Sequence, residues 1–159
     1  MSFKKFALVA SVFALAACGG TSESAPAAEE TAAAPAVETA PAAAAAVTGT
    51  THEIKMIGDE KGYRFEPANL TVKTGDAVKY VFVSGGPHNV AFEGATLSAD
   101  VKKQLDANFS AKMAELSSNM MLNAGESVTI SFAGIPAGKY PYNCTPHLAM
   151  NMKGVITVE

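Results

Sequence analysis

Apolar and polar residues alternate along much of the C-terminal two thirds of this chain. The alternation recurs in seven short runs that are rich in β-branched and aromatic residues: 53–57, 70–72, 77–83, 89–92, 127–132, 139–143 and 154–158. Turn-forming groups separate the runs, such as the Gly-Gly-Pro at 85–87 and the Pro-Ala-Gly at 136–138. Several short strands at this spacing predict an all-β fold, either a sandwich or a barrel.

One segment, residues 98–116, departs from this alternation. It lacks turn-forming residues, begins with a Ser-Ala-Asp sequence that suits a helix N-terminus, and repeats apolar residues at every fourth position: Val101, Leu105, Phe109 and Met113. This spacing predicts one helix, inserted between the strand near His88 and the strand that begins at Ser127. Met113 is then expected to lie on the buried side of that helix.

The N-terminus has the features of an export signal. Lys4 and Lys5 precede a run of twelve residues, from Phe6 to Ala17, in which only Ser11 is polar. A run of this length is too short to cross a bilayer, which takes about 20 residues, but it suits a secretory signal. Residues 1–17 are therefore predicted to be a signal peptide, and the protein is expected in the periplasm or on another extracytoplasmic face.

The residues at the end of that signal predict a lipid anchor. The sequence Leu15-Ala16-Ala17-Cys18 resembles the lipobox of bacterial lipoproteins, which implies cleavage before Cys18 and a diacylglycerol on its sulfur. Several acyl chains hold a protein stably on a membrane. The alternative is an ordinary cleavage that leaves Cys18 as a free thiol, which is a liability in an oxidising compartment.

Residues 18–50 have the composition of a linker. Alanine is their most frequent residue, and they contain prolines at Pro26, Pro35 and Pro41, four glutamates and no aromatic residue. The prolines interrupt any helix at intervals too short for stability, and little apolar surface is available to bury. A disordered linker is therefore predicted between the anchor and the folded domain.

Residues 51–159 are expected to form one domain. The domain holds ten Lys and Arg residues against eleven Asp and Glu, and this balance argues against nucleic acid as a partner. It contains a single cysteine, Cys144, so no disulfide can form within it and the thiol is free to bind a metal.

Three residue types of this domain, Cys, His and Met, form a recognisable ligand set. Cys144 and His147 lie on one short loop, Met150 and Met152 follow them, and His88 lies far upstream. Two His, one Cys and a weak Met are the ligands of a blue-copper electron-transfer centre. Either methionine could be the axial ligand by its spacing from Cys144. Met152 is favoured, because it lies directly before the last predicted strand.

From residue 65 onward the chain resembles the plastocyanin-like small blue copper proteins, which include pseudoazurin and amicyanin. Residues 65–76, 87–92 and 140–158 carry the resemblance, which covers nearly the whole domain. It implies a Greek-key β-sandwich, the cupredoxin fold, here with one short inserted helix. It also implies one type 1 copper ion that cycles between Cu(I) and Cu(II), and a one-electron carrier with no small-molecule substrate and no enzymatic reaction.

The resemblance also implies how the copper ligands are supported. The side chain of Asn89 is expected to tie the His88 loop to the Cys144 loop near Thr145, and its backbone N–H to point at the sulfur. Pro146 has no N–H, so a second donor to the sulfur is expected to be missing. One donor fewer leaves more electron density on the sulfur and lowers the reduction potential.

The ligand loop is expected to be the partner docking surface. In the family the second imidazole, here His147, lies near the surface, and its neighbours Leu148 and Met150 are apolar although they lie on a loop. The expected partners are redox proteins such as c-type cytochromes or membrane electron-transfer complexes. Plastocyanin carries Tyr where this chain has Asn143, so the tyrosine-side electron path of plastocyanin is not implied.

Three other functions compete with electron transfer. A copper enzyme needs further imidazoles for a second copper, and only His52 is left, which is expected to be solvated. A copper-binding lipoprotein for storage or delivery stays open because thioethers suit Cu(I). It could use six methionines: Met56, Met113, Met120, Met121, Met150 and Met152. A structural zinc site stays open as well.

Overall fold

The computed structural model describes residues 43–159. The predicted signal peptide, the predicted lipidation of Cys18 and most of the predicted linker fall on residues 1–42 and lie outside the described residues. Within residues 43–159, no helix is long and apolar enough to cross a membrane.

Two β-sheets and one short helix make up the described fold. One sheet has the strand order β2-β1-β4-β8 and the other β3-β10-β9-β5-β7-β6. The strands are β1 Thr51–Asp59, β2 Gly62–Glu66, β3 Asn69–Val72, β4 Ala77–Phe82, β5 Ala91–Phe92, β6 Lys112–Ala114, β7 Ser117–Ser118, β8 Ser127–Ser131, β9 Gly138–Asn143 and β10 Lys153–Val158. The all-β prediction is confirmed.

The core lies between the two sheets because each strand turns every second side chain inward. In β10, Gly154, Ile156 and Val158 are buried, while the residues between them are partly exposed. Ile54 and Tyr80 from the first sheet join Tyr142 and Ile156 from the second in one hydrophobic cluster. The alternation of apolar and polar residues in the sequence therefore reflects the burial of every second side chain in this core.

The sequence pattern missed strand β2, which forms an antiparallel hairpin with β1. The turn between them needs a left-handed backbone at Gly62, whose φ is +98°. The register of the hairpin pairs Met56 with Phe65 and Gly58 with Tyr63. The hairpin thus places Tyr63 directly across from a residue that has no side chain.

The inserted helix is shorter than predicted. Helix α1 spans Ala99–Ala107, and the Ser98 hydroxyl caps it by accepting a hydrogen bond from the Val101 N–H at 3.4 Å. The helix ends because the buried side chain of Asn108 donates to the carbonyl groups of Ser131 and Ala133, at 2.9 and 3.1 Å. These hydrogen bonds hold the chain against the strand region at 131–133 and override the apolar spacing, which predicted about two and a half more turns of helix, to residue 116.

The residues after α1 therefore differ from the prediction. Phe109 forms an isolated β-bridge with Ile130 and is buried. Met113 lies in strand β6 with 58% of its surface exposed, so its predicted place on a buried helix face is wrong. The turn after β6 places Leu116 in the left-handed region with a φ of 56°, which no continuous helix allows.

Residues 43–50 attach to the domain at one end of the sandwich. The N–H of Ala45 donates to Asn108 Oδ1 at 2.9 Å, and the N–H groups of Thr48 and Gly49 donate to the Gly75 carbonyl at 3.0 and 2.9 Å. The N–H of Thr50 donates to Asp76 Oδ1 at 2.8 Å. The last eight residues of the predicted linker therefore make specific hydrogen bonds with the folded domain.

His52 has a partner at this same end, which corrects the expectation that it is merely solvated. Its Nε2 lies 2.9 Å from Asp76 Oδ2. A hydrogen bond from the Lys73 N–H, together with those from His52 and Thr50, lowers the pKa of Asp76 to about 2. Strands β1 and β4 run in parallel away from this end, so Ser84 and His88, which follow β4, lie at the opposite end.

Candidate metal centre

Three buried side chains converge at that opposite end. Cys144 Sγ lies 3.5 Å from His88 Nδ1 and 3.4 Å from His147 Nδ1. The three atoms all lie within 4.8 Å of one another, and no other group of three or more His, Cys, Asp or Glu in residues 43–159 is so arranged. The side chains are shielded from water, since His88 and Cys144 are fully buried and His147 is 5% exposed.

The loop between β9 and β10 places Cys144 and His147. Cys144 follows the last residue of β9, and its N–H donates to the Met152 carbonyl at 3.1 Å. The chain then winds through 3-10 turns at Thr145–Met150, in which the His147 N–H donates to the Cys144 carbonyl at 3.0 Å. This tight turn is what brings the thiol and the imidazole to the same side of the loop.

The loop after β4 places His88. Its backbone exchanges two hydrogen bonds with Met121, at 3.0 and 2.8 Å, and its ring Nε2 lies 2.9 Å from the Ser84 carbonyl oxygen. A carbonyl can only accept, so Nε2 carries the proton. The lone pair of the neutral ring is then on Nδ1, which is the atom that faces the sulfur of Cys144.

The electrostatics of the cluster favour metal binding. Burial raises the pKa of the Cys144 thiol and lowers the pKa of His88. The pKa of His147 is lowered as well, first by burial and then by the nearby His88. Two neutral imidazoles are therefore ready to bind, while the thiol needs a metal to displace its proton. A borderline-soft ion such as copper matches this set of donors.

Two backbone N–H groups oppose the effect of burial on the thiol. Burial raises the pKa of Cys144, while the N–H groups of Asn89 and, more weakly, of His147 act to lower that pKa. The His147 N–H makes its hydrogen bond with the Cys144 carbonyl, at 3.0 Å, and Pro146 has no N–H. The expected lack of a second hydrogen-bond donor to the sulfur stays a prediction.

The side chain of Asn89 lies between the two ligand loops. Its Oδ1 accepts from the Thr145 N–H at 2.7 Å, and its Nδ2 donates to Thr145 Oγ1 at 3.2 Å and to Ser117 Oγ at 3.1 Å. The residue is 1% exposed, so these hydrogen bonds do not compete with water. They tie the loop that carries His88 to the loop that carries Cys144.

The two candidate axial ligands have different environments. Met152 is fully buried and belongs to the same core cluster as Cys144, and its N–H donates to the His147 carbonyl at 3.2 Å. Met150 is 56% exposed. Of the two methionines, only Met152 is buried, and it follows the ligand loop directly.

Sequence reasoning missed three residues that surround the imidazoles. The ring of Tyr63 stacks on that of His147, with centroids 3.7 Å apart and planes 18° from parallel. The ring of Phe82 meets His88 edge-on at 4.9 Å, and Ser84 supplies the carbonyl described above. Tyr63 could have been found from the sequence, because the aromatic residues Tyr63 and Phe65 alternate with Arg64 directly after Gly62. This pattern is typical of a strand that begins at a turn.

The two segments that carry the ligands have no charged residue at the surface. Leu148 and Met150 of the ligand loop are 43% and 56% exposed, and Pro146 and Ala149 are exposed beside them. Residues 83–92 and 144–152 contain no Lys or Arg, and Glu and Asp are absent from both segments. Charged residues at this end of the sandwich lie on the β1–β2 hairpin, where Asp59, Glu60 and Lys61 are exposed and Arg64 pairs with Asp59.

A β-sandwich that buries one thiol between two imidazoles at its end defines a metalloprotein of the cupredoxin type. The family model of copper binding proteins, the plastocyanin/azurin family, matches residues 52–159. The chain belongs to this family. The expectations of a cupredoxin fold and of copper as the cofactor are thereby confirmed.

Individual relatives agree with this assignment. A plastocyanin of Nostoc punctiforme is 34% identical over 72% of this chain and 78% of its own length. A chloroplastic plastocyanin of Tetradesmus obliquus is 36% identical over 72% of this chain and 71% of its own length. The solved structure of oxidised plastocyanin from Dryopteris crassirhizoma superposes with a TM-score of 0.52 at 30% identity, covering 67% of this chain and 99% of that one.

Proposed function

We propose that this plastocyanin-like protein carries single electrons between redox proteins, with one copper ion held by His88, Cys144, His147 and, more weakly, Met152. Copper supplies a one-electron couple between Cu(I) and Cu(II). The observation that carries the proposal is the buried convergence of one thiol and two imidazole nitrogens within 4.8 Å, in a chain of the plastocyanin/azurin family.

The protein matrix suits this role because it fixes the donors before the metal arrives. The Ser84 carbonyl sets the tautomer of His88, and Asn89 joins the two ligand loops. Burial keeps water away from the donor atoms. A site that is held on a rigid frame changes little when an electron arrives, which keeps transfer fast.

The proposed axial ligand is tested by matched substitutions of the two methionines. In Met152→Gln, a harder oxygen donor replaces the thioether, so the absorption spectrum should change and the reduction potential should fall. In Met150→Gln, both should stay as in the wild type, because that side chain is mostly in solvent. Optical spectra and voltammetry measure both quantities, and the reverse pattern would make Met150 the ligand.

The proposed docking surface is the apolar rim of the ligand loop, with Leu148 and Met150 exposed beside the buried His147. Partners of matching chemistry are redox proteins with an apolar surface around their own cofactor, such as c-type cytochromes or membrane electron-transfer complexes. Transient redox contacts of this kind are small and separate quickly.

The proposal places the protein outside the cytoplasm, anchored to a membrane through Cys18. Support comes from the sequence of residues 1–18 alone. Cys18→Ala should block processing, so the cells should accumulate an uncleaved precursor or release an unanchored chain. Mass spectrometry of the wild-type N-terminus provides the direct measurement, and an abundant mature form without lipid would contradict the anchor.

Copper storage or delivery is the second candidate function. The exposure of Met113 and Met150 at the surface favours it, since thioethers bind Cu(I). A delivery protein must give up its copper, whereas an electron carrier must keep it in both oxidation states. Retention of copper through repeated reduction in the presence of a Cu(I) chelator therefore separates the two functions.

A further inference from the structure

Gly58, near the end of β1, is hydrogen bonded to the loop that carries His88. Its N–H donates to the Ser84 carbonyl at 2.8 Å, and the Ser84 hydroxyl donates back to the Gly58 carbonyl at 3.0 Å. The same Ser84 carbonyl accepts from His88 Nε2 at 2.9 Å. The position of the His88 ring therefore depends on where β1 holds Ser84.

Gly58 also lies against the residue that contacts the other imidazole. A Cβ on Gly58 would come within 2.6 Å of Tyr63 Cε1 and within 2.8 Å of the Gly85 Cα. Real Cβ atoms do not approach other heavy atoms this closely, so the Tyr63 ring occupies the space that a side chain at 58 would need. That ring stacks on His147 at 3.7 Å.

We propose that Gly58 is a positioning residue that sets both copper-binding imidazoles, acting on His88 through Ser84 and on His147 through the Tyr63 ring. The absence of a side chain allows one hairpin, β1–β2, to support two ligands that come from different loops. Because the two rings are held by one element, they keep their relative orientation when the electron arrives. This inference rests on the proposed metal site.

The substitution Gly58→Ala tests the inference in the metal-free protein first. The His147 ring protons lie over the face of Tyr63 and are shielded by it, so their NMR signals should move downfield when the added methyl group displaces that ring. The His88 Nε2 proton should exchange faster with solvent as its hydrogen bond to Ser84 weakens. With copper bound, the electron paramagnetic resonance spectrum and the reduction potential should both shift.

Three further variants separate the two contacts. Tyr63→Leu removes the stacked ring and should move the His147 signals. The Tyr63 ring also meets the His88 ring edge-on, with centroids 6.3 Å apart, so the readout for His88 is the exchange rate of its Nε2 proton, which reports the hydrogen bond to Ser84 and should stay as in the wild type. Tyr63→Phe keeps the ring and should restore wild-type signals and potential. Ser84→Ala removes only the hydroxyl and should affect His88 alone. If Gly58→Ala does not fold, the Tyr63 and Ser84 variants still test the two contacts.

Gly134→Ala is the control for a loss of stability alone. Gly134 has a φ of +73°, and an added Cβ would make only ordinary contacts, of 3.5 Å or more, with Gln104 and Ala45, so alanine strains the backbone at the end of the sandwich opposite the imidazoles. It should lower the melting temperature but leave the imidazole signals and the potential unchanged. Equal shifts in Gly134→Ala and Gly58→Ala would overturn the inference, as would wild-type imidazole signals in Tyr63→Leu.

Failure of this inference and failure of the proposed function are distinguishable. The imidazole signals are measured without metal and report only the hairpin contacts. A wild-type protein that does not turn blue with Cu(II) would instead reject the metal site itself, whatever the NMR spectra show.

Discussion

The Cys144→Ser protein is expected to fold and yet to show no blue colour with Cu(II). The intense colour of a blue-copper site arises from its short thiolate bond, and Cys144 is the one thiol in residues 51–159. Serine has nearly the same shape, but its hydroxyl stays protonated and gives a hard oxygen donor. Absorption spectra should therefore lose the charge-transfer band completely, while circular dichroism should stay that of the wild type.

The matched control is Cys18→Ser, which makes the same change at the other cysteine of the chain. Purified and loaded with Cu(II), it should be as blue as the wild type. Copper analysis of both variants shows whether a colourless protein still holds the ion through its two imidazoles. A Cys144→Ser protein that remained blue would rule out this thiol as the copper ligand.

A carboxylate at Leu148 is expected to slow electron transfer to the physiological partner by about tenfold or more. Leu148 is 43% exposed on the ligand loop, next to His147. A charge that is buried unpaired in a contact costs more than the roughly 1.4 kcal/mol that corresponds to a factor of ten. The copper spectrum should barely change, because the side chain points to solvent and not into the cluster.

Val47→Glu is the matched control for this substitution. Val47 is also 43% exposed, but it lies in the segment 43–50 at the opposite end of the sandwich. The Val47→Glu protein should therefore transfer electrons at the wild-type rate. The wild-type rate should vary only mildly with ionic strength, because the domain has nearly balanced charges. A Leu148→Glu protein with the wild-type rate, or a steep salt dependence, would place docking on a charged surface elsewhere.

The sequence predicted those features that depend on residues close together in the chain, namely most of the strands and the ligand loop. Period-two alternation recovered most strands because one side of each strand is buried, as in β10. The ligand loop could be predicted because Cys144 and His147 are close in sequence and their donor types are rare together. His88 could be added because it lies between two strand-like runs and supplies the second imidazole of the ligand set.

The features that the sequence did not reveal depend on contacts between distant residues. Helix α1 ends where Asn108 binds the carbonyl groups of Ser131 and Ala133, and no pattern within 98–116 contains that information. The stacking of Tyr63 on His147 joins residues far apart in the chain. The same holds for the contact of Gly58 with Tyr63, which depends on the register of a hairpin whose second strand was not predicted.

The most direct test of the proposed electron carrier is a titration of the metal-free protein with Cu(II), followed by repeated reduction and oxidation in the presence of a Cu(I) chelator. We expect an intense blue colour that saturates at one copper per chain, disappears when one electron is added, and returns fully in every cycle because the chelator removes no copper. A colourless complex, or a blue colour that is lost to the chelator after the first reduction, would contradict electron transfer as the function of this site.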